Sequence, residues 1–133
     1  WWKDRAGATK RLASRLLPLV GTTVAVGDSA GVVATVHLVV EGKARVCKTV
    51  EDIRQLQEGE ILVAPTTSPS WAPAFAKIKA CVTDVGGVMS HAAIVCREYG
   101  MPAVVGTGHA TKIIQTGMMI RVDGSSGAIT VSR

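Results

Sequence analysis

The chain has 133 residues, 47% of them hydrophobic and 4% aromatic, which suits a single domain with a core of small aliphatic side chains. Residues 1–15 carry five basic side chains and one acidic one, whereas the remainder carries ten and nine, so the net charge of +5 does not predict a nucleic-acid-binding surface. No apolar run reaches the roughly 18 residues of a membrane span, and three widely spaced cysteines predict reduced thiols in a cytoplasmic protein without a disulfide or metal site.

The beginning of the chain predicts a linker followed by the start of a domain. Residues 1–20 are expected to form a linker helix or the tail of a preceding domain, and residues 21–133 form the domain itself. The basic stretch within the linker is expected to be solvated, with a basic nucleic-acid module as the alternative. The next predicted elements are short: a turn at 21–26, a strand at 32–36 and, after a turn at Gly42, the segment 44–47.

The middle of the chain alternates between short helices and an apolar strand. Thr49 and Ser68 stand where helix N-caps belong, and Pro69 suits a first helical position. The continuous apolar run between them has the length of a strand buried on both faces. In order, these patterns predict a helix over 50–56, a strand at 61–64, and a helix from 69 to 78 that Pro73 keeps short.

The last part of the chain continues this alternation and ends in a hairpin. Gly86 and Gly87 make a turn, Ser90 is an N-cap, and Gly100 ends the helix that follows. The predicted elements are a strand at 80–84, a helix at 91–99, a strand at 103–105, a helix at 111–115 and a hairpin of 119–123 with 128–131. We therefore expect a compact α/β domain with a central sheet and short flanking helices.

His91 is the strongest candidate for a functional residue because it begins the predicted helix at 91–99. A helix N-terminus has unpaired N–H groups and about half a positive charge, and it binds phosphate. Neutral imidazole is nucleophilic, so we expect His91 to be the catalytic residue that accepts a phosphoryl group. Gly86 and Gly87 let the backbone approach that group, and Ser90 either caps the helix or donates to it. The alternative for His91 is a purely structural role.

The helical spacing also predicts which face of this helix packs on the sheet. One stripe, at i, i+3, i+4 and i+7, consists of Ala92, Val95, Cys96 and Tyr99. His91 lies at the exposed end of the stripe. Arg97 lies two turns further along, so a surface or interdomain ion pair is expected for it.

Other polar residues have ordinary roles in this interpretation. Asp84 is expected to accept a hydrogen bond from a turn N–H, and orientation of the His91 imidazole is the alternative. Thr83 ends a strand and is expected to be structural. His37 is expected at the surface. His109 is expected in a loop, facing solvent or packed locally, with an approach to a partner site as the alternative.

Residues 86–106, GGVMSHAAIVCREYGMPAVVG, closely resemble the phosphohistidine swivelling domain of phosphoenolpyruvate-utilising enzymes. This family includes phosphoenolpyruvate synthase, pyruvate phosphate dikinase, enzyme I of the sugar phosphotransferase system, phenylphosphate synthase and rifampicin phosphotransferase. The resemblance is close over 58–131 and looser over 21–57. It implies a swivelling β/β/α fold in which His91 takes a phosphoryl group at one active site and delivers it at another.

The resemblance also implies partners that this sequence does not contain. An ATP-grasp-like domain or subunit supplies the phosphoryl group with ATP and Mg²⁺, and a second domain or subunit binds the acceptor. This domain itself is expected to bind no cofactor or metal and to be inactive alone. The donor, ATP or phosphoenolpyruvate, and the acceptor stay open. Met89 stands where plant-type dikinases have a regulatory Thr, so that control is not expected. The alternative is a regulatory or binding module that keeps the fold without transfer.

Overall fold

The computed structural model describes residues 23–25, 33–36, 38–87 and 89–131. The predicted linker at 1–20 and His37 lie outside these residues. Within the described part, no helix has the length and apolar character needed to cross a membrane. The three cysteines are buried free thiols.

Among the residues described above, eight strands form a mixed sheet. They are β1 Thr23–Ala25, β2 Val33–Thr35, β3 Val39–Val46, β4 Ile61–Ala64, β5 Ala80–Thr83, β6 Ala103–Val105, β7 Met119–Asp123 and β8 Ile129–Val131. Their order across the sheet is β1-β8-β7-β3-β4-β5-β6-β2. Strands β3 to β6 run parallel to one another. The pairs β1–β8, β8–β7, β7–β3 and β6–β2 are antiparallel.

Strand β3 joins the antiparallel half of the sheet to the parallel half. Its residues 39–43 pair with β7, and its residues 44–46 pair with β4. One continuous strand therefore belongs to both halves, and each half is anchored to a different part of it.

The parallel strands are buried on both faces, as their apolar sequences predict. In β4, Ile61 and Val63 pack in one core cluster with side chains of the β7–β8 hairpin, whereas Leu62 and Ala64 pack in a second cluster with side chains of the helices. Every residue of β4, β5 and β6 is buried. The result is three layers, antiparallel strands, parallel strands and helices, and this confirms the predicted β/β/α fold.

The helices are short and flank the sheet. They are the 3-10 helix Val50–Gln55, the 3-10 turn Pro69–Trp71, α1 Ala72–Phe75, α2 His91–Tyr99 and α3 Ala110–Ile113. Helix α2 packs on β2, β5 and β6, and α3 packs on β1, β4 and β5. The carboxylate of Asp52 accepts from the N–H groups of Lys48 and Thr49, which confirms the expected start of the first helix. The helix predicted to reach Ile78 ends at Phe75.

Gly42 does not form the predicted turn, and that prediction is wrong. It lies inside β3, where a Cβ would be 2.5 Å from Cε of Lys79 and 3.1 Å from the carbonyl oxygen of Gly59. The strand requires glycine here because another chain segment passes against it, not because the chain reverses. The turn predicted at 21–26 is likewise wrong, since Thr23–Ala25 pair with β8.

The buried face of α2 is also turned relative to the prediction. Ala92, Ala93 and Cys96 are buried, Val95 is half-buried, and Tyr99 is 55% exposed. The buried face therefore includes Ala93, which the predicted stripe omitted, and leaves out Tyr99.

Candidate functional site

Three loops meet at the edge of the sheet where β4, β5 and β6 end. Loop 65–70 follows β4, loop 84–90 follows β5, and loop 106–109 follows β6. Backbone hydrogen bonds join neighbouring loops just beyond the strands. Between the first two loops, the N–H of Asp84 donates to Ala64 O (3.1 Å) and the N–H of Val85 to Pro65 O (2.9 Å). Between the second and third, the N–H of Thr107 donates to Thr83 O (3.1 Å) and the N–H of Gly108 to Asp84 O (2.9 Å). The pairing of the sheet therefore extends into the loops and gives them a fixed base.

Helix α2 starts from the middle loop, with the caps that the sequence predicts. Ser90 is the N-cap, and its Oγ accepts from the N–H of Ala93 at 3.4 Å. Gly100 ends the helix in the left-handed conformation, at a φ of 72°. The hydroxyl of Ser90 thus has the capping role, and a contact from it to a phosphoryl group stays a prediction.

His91 is the first residue of α2, and buried neighbours hold its half-buried ring from two directions. Its Nδ1 lies 2.9 Å from Oγ1 of Thr67, in the loop after β4. Its ring meets the ring of Phe75 edge to face, with centroids 5.7 Å apart and planes at 75°. Thr67 is 8% exposed and Phe75 is 1% exposed. Among the described residues, none forms a hydrogen bond to Nε2.

The contact with Thr67 distinguishes the two ring nitrogens of His91. A hydroxyl accepts from a protonated Nδ1 and donates to an unprotonated one, so Thr67 serves the ring in either form. When Nδ1 carries the proton, the lone pair of the imidazole is on Nε2. The available nucleophilic atom is then Nε2, on a ring whose orientation is already set.

The two glycines of the loop have different surroundings. Gly86 has a φ of 144°, and a Cβ there would lie 3.0 Å from Oγ of Ser90 and 3.3 Å from Cβ of Val105. Gly86 is therefore needed for the turn that brings Ser90 to the helix start. A Cβ on Gly87 would meet no atom of the described residues within 4 Å. Gly87 thus leaves space beside the helix N-terminus.

The first turn of α2 leaves backbone donors for an anion. The N–H of Ala93 is bound by the Ser90 side chain, and the N–H of Ile94 by the Ser90 carbonyl. For the N–H groups of His91 and Ala92, no acceptor is present in the described part of the chain. These two donors and the positive end of the helix dipole therefore lie at the helix terminus that carries the imidazole.

Asp84 has neither of the roles considered for it. Its carboxylate accepts from the N–H of Thr111 at 3.0 Å and from the Thr111 hydroxyl, so it holds the first turn of α3. The expected structural role of Thr83 agrees with its burial and with its hydroxyl bond to Val85 O. His109 is exposed in the third loop, and Arg97 is exposed in the last turn of α2.

The roles of Thr67 and Phe75 were missed by sequence reasoning. The signal lay in the topology: Thr67 follows β4 and His91 follows β5, and these strands are adjacent and parallel. Polar side chains that follow the carboxyl ends of neighbouring parallel strands come close together. Recognising 61–64 and 80–84 as neighbours would have placed Thr67 beside His91.

The other features of the described residues do not add a second chemical centre. No group of three or more His, Cys, Asp or Glu side chains suited to a metal ion occurs in the part of the chain that the structure describes. A cavity of about 680 Å³ lies at the opposite end of the parallel strands, where Arg45, Glu60 and Lys79 line it. His91 does not border that cavity.

Comparisons with known proteins show which family the chain resembles. Residues 56–127 match the family described as "PEP-utilising enzyme, mobile domain". The chain is 54% identical to rifampicin phosphotransferase of Bacillus cereus over 93 residues, which are 70% of this chain and 11% of that protein. It is 48% identical to phosphoenolpyruvate synthase of Aeropyrum pernix over 92 residues, 68% of this chain and 11% of that protein.

A solved structure supports the same relationship. The NMR solution structure of Enzyme I aligns with a TM-score of 0.53 and 34% identity, over 59% of this chain and 33% of that chain. The chain therefore corresponds to one part of much longer enzymes. Because the family match covers more than half of its length, the chain belongs to the mobile-domain family of PEP-utilising enzymes.

Proposed function

We propose that this domain carries a phosphoryl group on Nε2 of His91, receives it at one active site and delivers it to an acceptor at another. The observation that best supports the proposal is the hydrogen bond of 2.9 Å between Nδ1 of His91 and Oγ1 of Thr67. It occupies one ring nitrogen with a buried, uncharged partner and leaves the other nitrogen for chemistry.

The transfer step on this ring is a displacement at phosphorus. The Nε2 lone pair forms the new P–N bond while the bond from phosphorus to the donor oxygen breaks, and the donor keeps that electron pair. The Thr67 hydroxyl accepts from Nδ1–H throughout, so the phosphorylated ring keeps that proton and leaves as a neutral imidazole when the P–N bond breaks. At the second site the acceptor oxygen attacks phosphorus, and the P–N pair returns to Nε2.

The start of α2 stabilises the charge that the ring acquires. A phosphoryl group brings up to about two negative charges near pH 7. The backbone N–H groups of His91 and Ala92 and the helix dipole favour an anion at this position. The space at Gly87 allows phosphoryl oxygens to approach the backbone. None of these groups is itself a titrating acid or base, so they favour the anion throughout the pH range in which the domain is folded.

The whole reaction requires partners outside this chain, which spans 11% of the length of the two enzymes compared above. We propose a nucleotide-binding, ATP-grasp-like domain or subunit as the source of the phosphoryl group, with Mg²⁺ held there, and a separate acceptor-binding domain or subunit. Phosphoenolpyruvate is the other possible donor. Buried free thiols support a cytoplasmic location.

The test uses the full-length protein and ATP labelled with ³²P at the β or the γ position. We expect an acid-labile, alkali-stable protein label in the wild type and none in His91→Ala, with both proteins folded by circular dichroism. Label from the β position indicates the synthase and dikinase type of transfer. His109→Asn is the matched control, since His109 is exposed in the adjacent loop, and it is expected to label normally.

Two results would contradict the proposal. One is a label of wild-type amount in His91→Ala. The other is a wild-type protein that takes no label from ATP or from phosphoenolpyruvate, which would favour the regulatory or binding module instead.

A further inference from the structure

Asp84 uses both its backbone and its side chain to bind other segments of the chain. Its N–H donates to Ala64 O at 3.1 Å, and its carbonyl oxygen accepts from the N–H of Gly108 at 2.9 Å. Its carboxylate accepts from the N–H of Thr111 at 3.0 Å and, through the second oxygen, from the Thr111 hydroxyl. This one residue therefore connects the end of β4, the loop after β6 and the first turn of α3.

A second set of hydrogen bonds joins the same segments. The Thr107 hydroxyl donates to Thr83 O at 3.0 Å and accepts from the N–H of Ala110 at 3.3 Å. Both threonines are buried, so these bonds are shielded from water. Ala110 lies in the core cluster that contains Ile61. The start of α3 is thus anchored in the core, and Asp84 is bound to that anchor.

Both supports of the His91 ring are connected to Asp84. The N–H of the next residue, Val85, donates to Pro65 O at 2.9 Å. Two residues after Pro65 comes Thr67, whose hydroxyl binds Nδ1 of the ring. In the other direction, the loop after β5 leads from Asp84 to the N-cap of α2, the helix that begins with His91. A shift at Asp84 would therefore move the two supports relative to each other.

We propose that Asp84 is a positioning residue for phosphoryl transfer, which holds the loop of Thr67 and the helix start of His91 in their relative positions. The proposal rests on the proposed function of His91. The carboxylate is bound to Thr111 and the ring to Thr67, so the effect of Asp84 on the ring passes through the loops. Transfer is sensitive to such an effect, since a misplacement of about 1 Å can slow a reaction about a hundredfold.

This role depends on the hydrogen bonds of Asp84 and not on its charge. Asparagine at this position can form both bonds to Thr111, because its Oδ1 accepts from the Thr111 N–H and its Nδ2 donates to the hydroxyl oxygen. Alanine forms neither bond. A carboxylate that acted on the imidazole through its charge would be lost equally in both variants. The two substitutions therefore separate positioning from an electrostatic effect.

The test measures the initial rate of ³²P labelling in the full-length protein, per folded molecule, with the donor that labels the wild type. We expect Asp84→Ala to lower this rate about tenfold. Asp84→Asn should stay within about threefold of the wild type, because the bonds to Thr111 are kept. The KM for the donor should stay within about twofold in both variants, since in the proposed function the donor binds outside this domain.

Asp123→Ala is the matched control. The Asp123 carboxylate also accepts from two backbone N–H groups, those of Ser125 (2.8 Å) and Ser126 (3.2 Å), but it holds the turn between β7 and β8. Asp123 pairs with Val39 at the start of β3, whereas the site lies at the carboxyl ends of the parallel strands. We expect Asp123→Ala to label at the wild-type rate per folded molecule, even where urea unfolding shows a loss of stability.

Three results would reject the positioning role while the carrier function stays. They are a wild-type rate in folded Asp84→Ala, a rate in Asp84→Asn as low as in Asp84→Ala, and an equal fall in Asp123→Ala. If Asp84→Ala does not fold, Thr111→Val, which removes one donor to Asp84, is compared with Thr111→Ser, which keeps it. We expect Thr111→Val to be about threefold slower, and equal rates would reject the proposal.

Failure of the underlying function gives a different result. If the wild type takes no label from ATP or from phosphoenolpyruvate, the carrier function of His91 fails, and the positioning role of Asp84 fails with it.

Discussion

The two ends of the parallel strands differ in how they use polar groups. At the amino ends, Arg45 donates from Nε and Nη2 to both carboxylate oxygens of Glu60, each at 3.0 Å, and the Gln57 N–H donates to one of them at 2.7 Å. At the carboxyl ends, an uncharged hydroxyl holds the imidazole of His91, and the adjoining loops lack Lys and Arg. At the amino ends, the two charged side chains therefore neutralise each other in an ion pair. At the other end, the one carboxylate of the loops, Asp84, is bound to Thr111, and no cation of these loops pairs with the imidazole.

The largest expected effect comes from removing one partner of the ion pair between Arg45 and Glu60. Glu60→Ala leaves Arg45 and the Gln57 N–H without their acceptor in a half-buried place, so we expect it to lower the free energy of unfolding by about 3 kcal/mol. Transfer per folded molecule should not change, because His91 is at the opposite end. Urea unfolding measures the stability, and Glu58→Ala at an exposed neighbouring position is the control. A full loss of labelling in folded Glu60→Ala would mean that the two ends are coupled.

A second prediction compares the two glycines of the reactive loop. Gly86→Ala forces a Cβ against Ser90 at a φ of 144°, so we expect a loss of about 2 kcal/mol in unfolding free energy. Gly87→Ala places its Cβ in open space and should change stability by less than about 0.5 kcal/mol. Equal losses in the two variants would show that the loop does not have the conformation described. Thermal unfolding of the matched pair measures the difference.

A third prediction concerns the uncharged partner of the imidazole. Thr67→Val keeps the shape of the side chain but removes the hydroxyl, so Nδ1 loses its partner and the ring its fixed orientation. We expect the rate of phosphoryl transfer to fall about tenfold, with little change in the amount of partner bound. Thr67→Ser restores the hydroxyl and should recover most of the rate. If Thr67→Ser is as slow as Thr67→Val, the hydrogen bond is not the cause.

The smallest expected effect is a loss of folding stability at alkaline pH, caused by the buried thiol of Cys47. Burial, reinforced by the carboxylate of Asp52, raises the pKa of the Cys47 thiol to about 11. In the unfolded chain this thiol ionises at its ordinary value near 9, so the unfolded state loses its proton first as pH rises. The stability contributed by the neutral thiol is complete below pH 9 and is lost toward pH 11, by about 1 kcal/mol at pH 10.

Urea unfolding at pH 8 and pH 10 measures this change. Cys47→Ala should show a smaller loss between the two pH values than the wild type does. An equal loss would assign the alkaline sensitivity to other groups, such as the Cys81 thiol, whose pKa is raised by its hydrogen bond with Cys96 and by burial.

Local signals in the sequence were sufficient for the elements around the site. The apolar runs at β4 and β5 match strands buried on both faces, and Ser90 and Gly100 mark the ends of α2. The wrong prediction for Gly42 and the missed role of Thr67 both depend on contacts between segments that are distant in the sequence. Glycine is typical of turns, but Gly42 lies in a strand, where a Cβ would come within 3.1 Å of the carbonyl oxygen of Gly59, a residue that is distant in the sequence. The role of Thr67 requires the knowledge that β4 and β5 are neighbours, which single-sequence patterns do not contain.

The division of β3 between its two partners has a mechanical consequence. Pulling the antiparallel layer away from the parallel one would require breaking the ladder of one continuous strand, on whichever side the load was applied. We therefore expect the two layers to resist shear and to move together as one body. If the proposed transfer moves His91 between two active sites, we expect the bending to occur outside this body, in whatever chain segments flank it. Changing the length or stiffness of such segments is then expected to change the transfer rate.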